Sequence, residues 1–199
     1  PARRVLVAAV ALHVLLAAMV NLQMLHDRGQ YVALLADADA PRTPQGYAFA
    51  HPPGSTGQLW TYSPHVVRLL NDLAVGGRTT PAVGLIGEAR TLYFQTPVIY
   101  NTVFDRHWAA ALVAEDMPPE TLPDRARELF GRLGATHIYV NWAEVDRFAS
   151  PGNYGWPADL GRDLLDRLEA GGTLRRLLSV GGTESSPEHV IYEVVATER

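Results

Sequence analysis

Seven side chains in this sequence are of types that do chemistry and fall where a fold can gather them: Glu88, Arg90, Asp105, Arg106, His107, Glu144 and Arg147. Glu88 and Arg90 follow one apolar run. Asp105, Arg106 and His107 follow a second, and Glu144, Asp146 and Arg147 follow a third. If each run is a strand of a parallel sheet, these residues meet at the carboxyl ends of the strands, where open α/β sheets bind ligands. Asp/His or Glu/Arg pairs in such a polar cleft can move protons. Opposite charges there also form ion pairs that fix the loops, and that structural role is the expected one.

Other constellations are absent or incomplete. Gly84-Leu85-Ile86-Gly87-Glu88 is half of a dinucleotide fingerprint, lacking the third Gly and the acidic residue that should end a second strand. A packing role for these glycines, with no cofactor, is the expectation. The seven His residues show neither i, i+4 pairing nor HExxH, and there is no Cys, so no metal site is expected. His137 lies in an apolar strand pattern. Ser55, in Gly54-Ser55-Thr56-Gly57, has no strand leading into it and is not a nucleophile elbow. Asn153-Tyr154-Gly155-Trp156-Pro157 is a stiff aromatic turn, either a packed lead-in to a helix or a patch facing carbohydrate or a partner.

The elements that must position these groups begin at Ser63. Ser63-Pro64 is a helix start, followed by an apolar face of Val66, Val67, Leu69, Leu70 and Leu73. Residues 82–86 read as a buried strand and 97–100 as a second. Arg106 to Val113 is expected to be helical, and Thr121 to Leu133 is an amphipathic helix closed by Gly134. Residues 136–141 form a third strand. Pro157 is expected to open another helix, ended by Gly171-Gly172, before two final strands over 174–180 and 190–195. Alternating strands and helices predict an α/β fold, a mostly parallel sheet with helices on both faces and a C-terminal antiparallel hairpin.

Upstream lies a different kind of sequence. Val5 to Leu25 is 21 residues without Asp, Glu, Lys or Arg. As a helix it would be roughly 31 Å long, about the thickness of a bilayer core. It exceeds the apolar stretch of a signal peptide and lacks a small-x-small site just after it. A retained transmembrane helix is therefore expected. Arg3 and Arg4 before it, against Arg28 after it, place the N-terminus in the cytoplasm and the rest outside, in the periplasm of an inner-membrane protein. His13 and Asn21 are polar positions within the span that fit packing against other membrane helices. The expected organisation is an anchor over 1–28, a connecting segment over 29–62 and an extracytoplasmic α/β domain over 63–199. A net charge of −4 argues against nucleic acid as a partner; lipid and other integral membrane subunits are expected instead.

Several strings carry a resemblance. Val83-Gly84-Leu85-Ile86-Gly87-Glu88-Ala89-Arg90, then Pro97 through Asp105, then Leu133 through Trp142 with Glu144 and Arg147, resemble the C-terminal extracytoplasmic domain of bacterial multi-span glycosyltransferases. These are the GT-C type, related to dolichyl-phosphate-mannose–protein mannosyltransferases. The resemblance covers Ser63 onward, with Val5–Leu25 matching the last membrane helix. It implies that the catalytic carboxylates and the polyprenyl-phosphate-sugar site lie in early loops and membrane helices outside these residues, so no catalytic residue carries over. The function expected is that of a non-catalytic, single-span accessory subunit of a larger membrane complex, for example a photosynthetic or respiratory one. The alternative is the soluble end of a polyprenyl-phosphate-sugar-dependent glycosyltransferase.

Overall fold

The computed structural model describes residues 14, 16, 18–19, 66–73, 82–102, 105–113, 118–153, 155–157, 159–183 and 187–195. The chain divides into two compact units, Pro1–Asp39 and Ala40–Arg199. In the first, Val14, Leu16, Ala18 and Met19 are helical and exposed. Among the described residues no helix is long and apolar enough to cross a membrane. The expected span over Val5–Leu25, with His13 and Asn21, otherwise lies outside the described residues.

The second unit is a mixed α/β fold. A helix over 66–73 (α1) precedes strands β1 (Ala82–Ile86) and β2 (Val98–Ile99). Next come α2 (Leu122–Leu133), β3 (Ala135–Asn141), α3 (Trp142–Ala149) and α4 (Arg162–Ala170). The hairpin β4 (Leu174–Val180) and β5 (His189–Val194) closes the sheet, whose order is β2-β1-β3-β5-β4. β1 pairs in parallel with β2 and β3, whereas β5 is antiparallel to both β3 and β4. The sheet is thus mixed, not mostly parallel. The closing hairpin lies at one edge of the sheet, β4 outermost, and β5, between β3 and β4, takes half of the pairings.

Alternation sorts the strand residues into two cores. Ile138 and Val140 of β3, with Val190 and Tyr192 of β5, face α2, α4 and the start of α3. Tyr139 and Ile191 face the other way, toward Val66, Leu69 and Leu70 of α1. β4 serves both cores because it carries a bulge. Arg176 pairs with Tyr192 and Leu178 with the adjacent Ile191, so Leu177 is an extra residue. The side-chain parity therefore flips: Leu174 joins the first core, while Leu178 and Val180 join the second. Leu164, Leu165 and Leu168 of α4 are buried, each contributing about 1.5–3 kcal/mol by leaving water.

Three elements differ from the sequence reading. The expected helix over Arg106–Val113 is a 3-10 helix limited to Trp108–Leu112. Pro157 does not open α4, which starts at Arg162. Leu160 N–H bonds back to Pro157 O, and the Trp156 indole donates to Leu160 O at 2.7 Å, which fixes the approach to α4. The residues after β3 are not a loop, because the Asn141 side chain accepts from Glu144 N–H and starts α3 directly. α2 ends as expected, with Gly134 in the left-handed region at φ 66°.

Candidate functional site

The cleft is built at the carboxyl ends of β1 and β3. After β1 the chain turns at Gly87, with φ 72°. A Cβ there would collide with the Asn141 carbonyl and stand 2.8 Å from Val145 Cγ2, so only glycine fits. The turn delivers Glu88, whose carboxylate is buried yet well satisfied. Oε1 accepts from Ala89 N–H, Arg90 N–H and Arg90 Nε at 2.8–3.1 Å. Oε2 accepts from Arg90 Nη2 at 2.7 Å and from Asn141 Nδ2 at 3.4 Å. Asn141 thus joins the ends of two strands, touching Glu88 with its amide nitrogen and capping α3 with its oxygen.

The opposite wall is the segment after β2. Asn101 Nδ2 donates to Arg106 O, and Asn101 Oδ1 accepts from Trp108 N–H at 2.6 Å. The exposed Asp105 carboxylate accepts from the Thr102 hydroxyl at 2.8 Å. His107 caps the 3-10 helix by accepting Ala109 N–H at Nδ1. Burial pushes its pKa down to about 4, so the ring is neutral at pH 7. With Nδ1 accepting, the proton sits on Nε2, which leaves His107 a hydrogen-bond donor and not a base.

The third wall comes from α3 and the turn beyond it. Arg147 grips Glu144 one turn earlier through Nε and Nη2, at 2.8 and 2.6 Å, and its guanidinium lies 4.4 Å over the Phe148 ring. Phe148 and Trp156 are stacked within 10° of parallel, and His107 meets Trp156 edge-on at 5.1 Å. These walls enclose a cavity of about 600 Å³.

All seven side chains singled out in the sequence line this one cavity, Glu88, Arg90, Asp105, Arg106, His107, Glu144 and Arg147. Two ion pairs among them form within a loop or helix turn, Glu88 with Arg90 and Glu144 with Arg147. Asp146 instead faces a neighbouring cavity of about 480 Å³, where it pairs with Arg162 at 3.5 Å. Asn101 and Phe148 also line the first cavity, and Asn141 organises it, though the sequence reading passed over all three. An Asn at the end of an apolar strand pattern, three residues before a Glu, was the available signal for Asn141.

The remaining candidates are explained or lie elsewhere. Gly84 packs against Trp108, and Gly87 serves the turn, so both glycines of the partial fingerprint have packing roles. His137 is half-buried beside Thr136, and burial lowers its pKa against the opposing pull of Glu193. Ser55 and Tyr154 lie outside the described residues, among which no group of three metal-binding side chains occurs. Chemically, the cleft presents an aromatic wall and paired hydrogen-bonding groups, with its acids already engaged. No protein-family model, curated protein or solved structure matches the chain.

Proposed function

We propose that this chain is a non-catalytic accessory domain, tethered to a membrane by the Val5–Leu25 helix, whose cleft recognises a ligand and does not transform it. The observation that carries this reading is the engagement of every cleft acid. Glu88 is held by Arg90 and two backbone N–H groups, Glu144 by Arg147, and Asp105 by Thr102. A general base needs a carboxylate or imidazole offered to substrate at a useful pKa. His107, uncharged and protonated on Nε2, offers a donor instead.

The tether has support of its own. Val14 projects from the opposite side of the helix to Leu16 and Met19, and each of the three is more than half exposed. A helix apolar all round is at home in lipid or in a large core, not in water. The second reading, the terminal domain of a membrane glycosyltransferase, is favoured by one observation: the strings that carry that resemblance contribute residues to each of the three walls of the cleft.

Purification of the natural protein from membranes in mild detergent separates the two. The accessory reading expects integral membrane subunits in fixed stoichiometry and no sugar transfer from polyprenyl-phosphate donors. Donor-dependent transfer by the purified natural polypeptide, lost when its membrane-embedded carboxylates are replaced, would establish the glycosyltransferase reading instead.

A further inference from the structure

Resting on the reading of the cleft as a recognition site, we propose that it takes an uncharged polyhydroxylated ring, that is, a saccharide. The C–H face of the ring would lie on the Trp156 indole, which Phe148 backs, and its hydroxyls on the guanidinium–carboxylate pairs.

Charge is the first argument. The lining holds Arg90, Arg106 and Arg147 against Glu88, Asp105 and Glu144, and these six formal charges sum to zero. A charged ligand drawn to either pair, Glu88 with Arg90 or Glu144 with Arg147, would have to break it to gain a partner, and the remaining charges, Arg106 and Asp105, offset each other. A neutral ligand needs no such exchange.

The second argument is the kind of polar group on offer. A hydroxyl both donates and accepts, so neighbouring hydroxyls are best met by a donor and an acceptor held side by side. Arg147 Nη2 and Glu144 Oε2, 2.6 Å apart, are such a pair beside the aromatic wall. Arg90 Nη2 and Glu88 Oε2, 2.7 Å apart, are another. A purely apolar ligand would strip water from these groups and return nothing. The aromatic wall then gives the apolar face of a sugar ring a surface that a simple polyol could not use. A cavity of about 600 Å³ is of small-molecule size.

The test uses the full chain in a detergent without a sugar headgroup. Probes are the methyl glycosides of glucose, galactose and mannose, with glucuronate and inorganic phosphate as anionic counterparts. Saturation-transfer NMR and tryptophan fluorescence read binding. At least one neutral glycoside should bind about tenfold more tightly than glucuronate or phosphate, a difference measurable as a clear shift in titration midpoint. Trp156→Ala should abolish binding and Trp156→Phe retain it. Glu144→Gln, on a partly exposed helix surface, leaves Arg147 unneutralised and should shift preference toward glucuronate by about tenfold. Tighter binding of either anion by the unaltered chain overturns the proposal. So does the absence of neutral-glycoside binding by a chain that retains its thermal transition. If the glycosides fail while membrane subunits still co-purify, only this inference falls. If a glycoside binds and is chemically altered, the non-catalytic reading falls and this one stands.

Discussion

Trp108 occupies the space that Gly84 leaves empty. A Cβ on Gly84 would lie 2.8 Å from Cζ2 of the indole and 2.9 Å from Ile138 Cδ1, while the indole Nε1 donates to Leu85 O at 3.0 Å. One tryptophan thereby fastens the segment that carries Asp105, Arg106 and His107 to the strand that delivers Glu88 and Arg90. This packing of a large ring on a missing side chain, with the indole hydrogen bond, joins two walls of the cleft.

Gly84→Ala should therefore destabilise the domain by about 1–3 kcal/mol, the usual cost of overpacking a well-filled core. Urea denaturation followed by tryptophan fluorescence measures it. A neutral or stabilising result would show that Trp108 moves aside freely.

Glu88→Gln keeps the shape of the side chain but removes its charge. The amide can accept only at its oxygen, so part of the set formed with Arg90, Ala89 and Asn141 is lost. Charge-assisted bonds are the strong ones, and the expected loss is about 1.5–3 kcal/mol. Arg90→Gln should cost at least as much, because it leaves the Glu88 carboxylate, only 2% exposed, without its compensating charge. A clearly smaller loss than that of Glu88→Gln in a chemical-denaturation series would contradict this.

Asn71 ties α1 to the segment before β2. Its Nδ2 donates to Tyr93 O at 3.0 Å and its Oδ1 accepts from Gln95 N–H at 2.8 Å. Asn71→Asp retains the acceptor, loses the donor and sets a carboxylate against a carbonyl. A loss of about 1–3 kcal/mol is expected at neutral pH, with recovery as the carboxyl protonates in acid. Amide exchange at Gln95 should accelerate in the same variant.

His107 gives the domain a pH dependence of known sign. Its folded pKa of about 4 lies below the unfolded value of 6.5, so the unfolded chain binds the proton more readily. This contribution to stability is complete above pH 6.5 and is lost progressively as pH falls toward 4, amounting to at most about 3 kcal/mol. His107→Asn can still accept from Ala109 N–H but does not titrate in that range. The stability curves of the two proteins should run parallel above pH 6.5, and that of the histidine protein should fall relative to the other as pH drops toward 4. Parallel curves across that window would show that His107 takes up its proton without cost in the fold.

Some of this architecture is legible residue by residue. The alternation through Thr136-His137-Ile138-Tyr139-Val140 marks a strand with two different faces, and Gly134 marks the end of the helix before it. The three charged clusters follow apolar runs, and the parallel pairing of β1 with β2 and β3 brings the residues after them to one side of the sheet. These signals are readable because each depends on neighbours within a turn or a strand pleat.

What escaped the sequence depends on residues far apart along the chain. Nothing in Leu174–Val180 or His189–Val194 states that β5 pairs with β3 and forces β4 to the edge, since a strand's pattern reports its buried face and not its neighbour. The extra residue Leu177 becomes a bulge only when Tyr192 and Ile191 are set opposite its flanks. Likewise, Trp156 ends the turn before α4 through a bond to Leu160, and meets Phe148 and His107 only once three separate segments have converged. By itself the sequence determined the types and periods of the main elements, and the residues that crowd one end of the sheet. Tertiary structure alone decided strand order, the engagement of each acid and the aromatic wall, because hydrogen-bond partners and ring contacts are chosen in space, where periodicity carries no information.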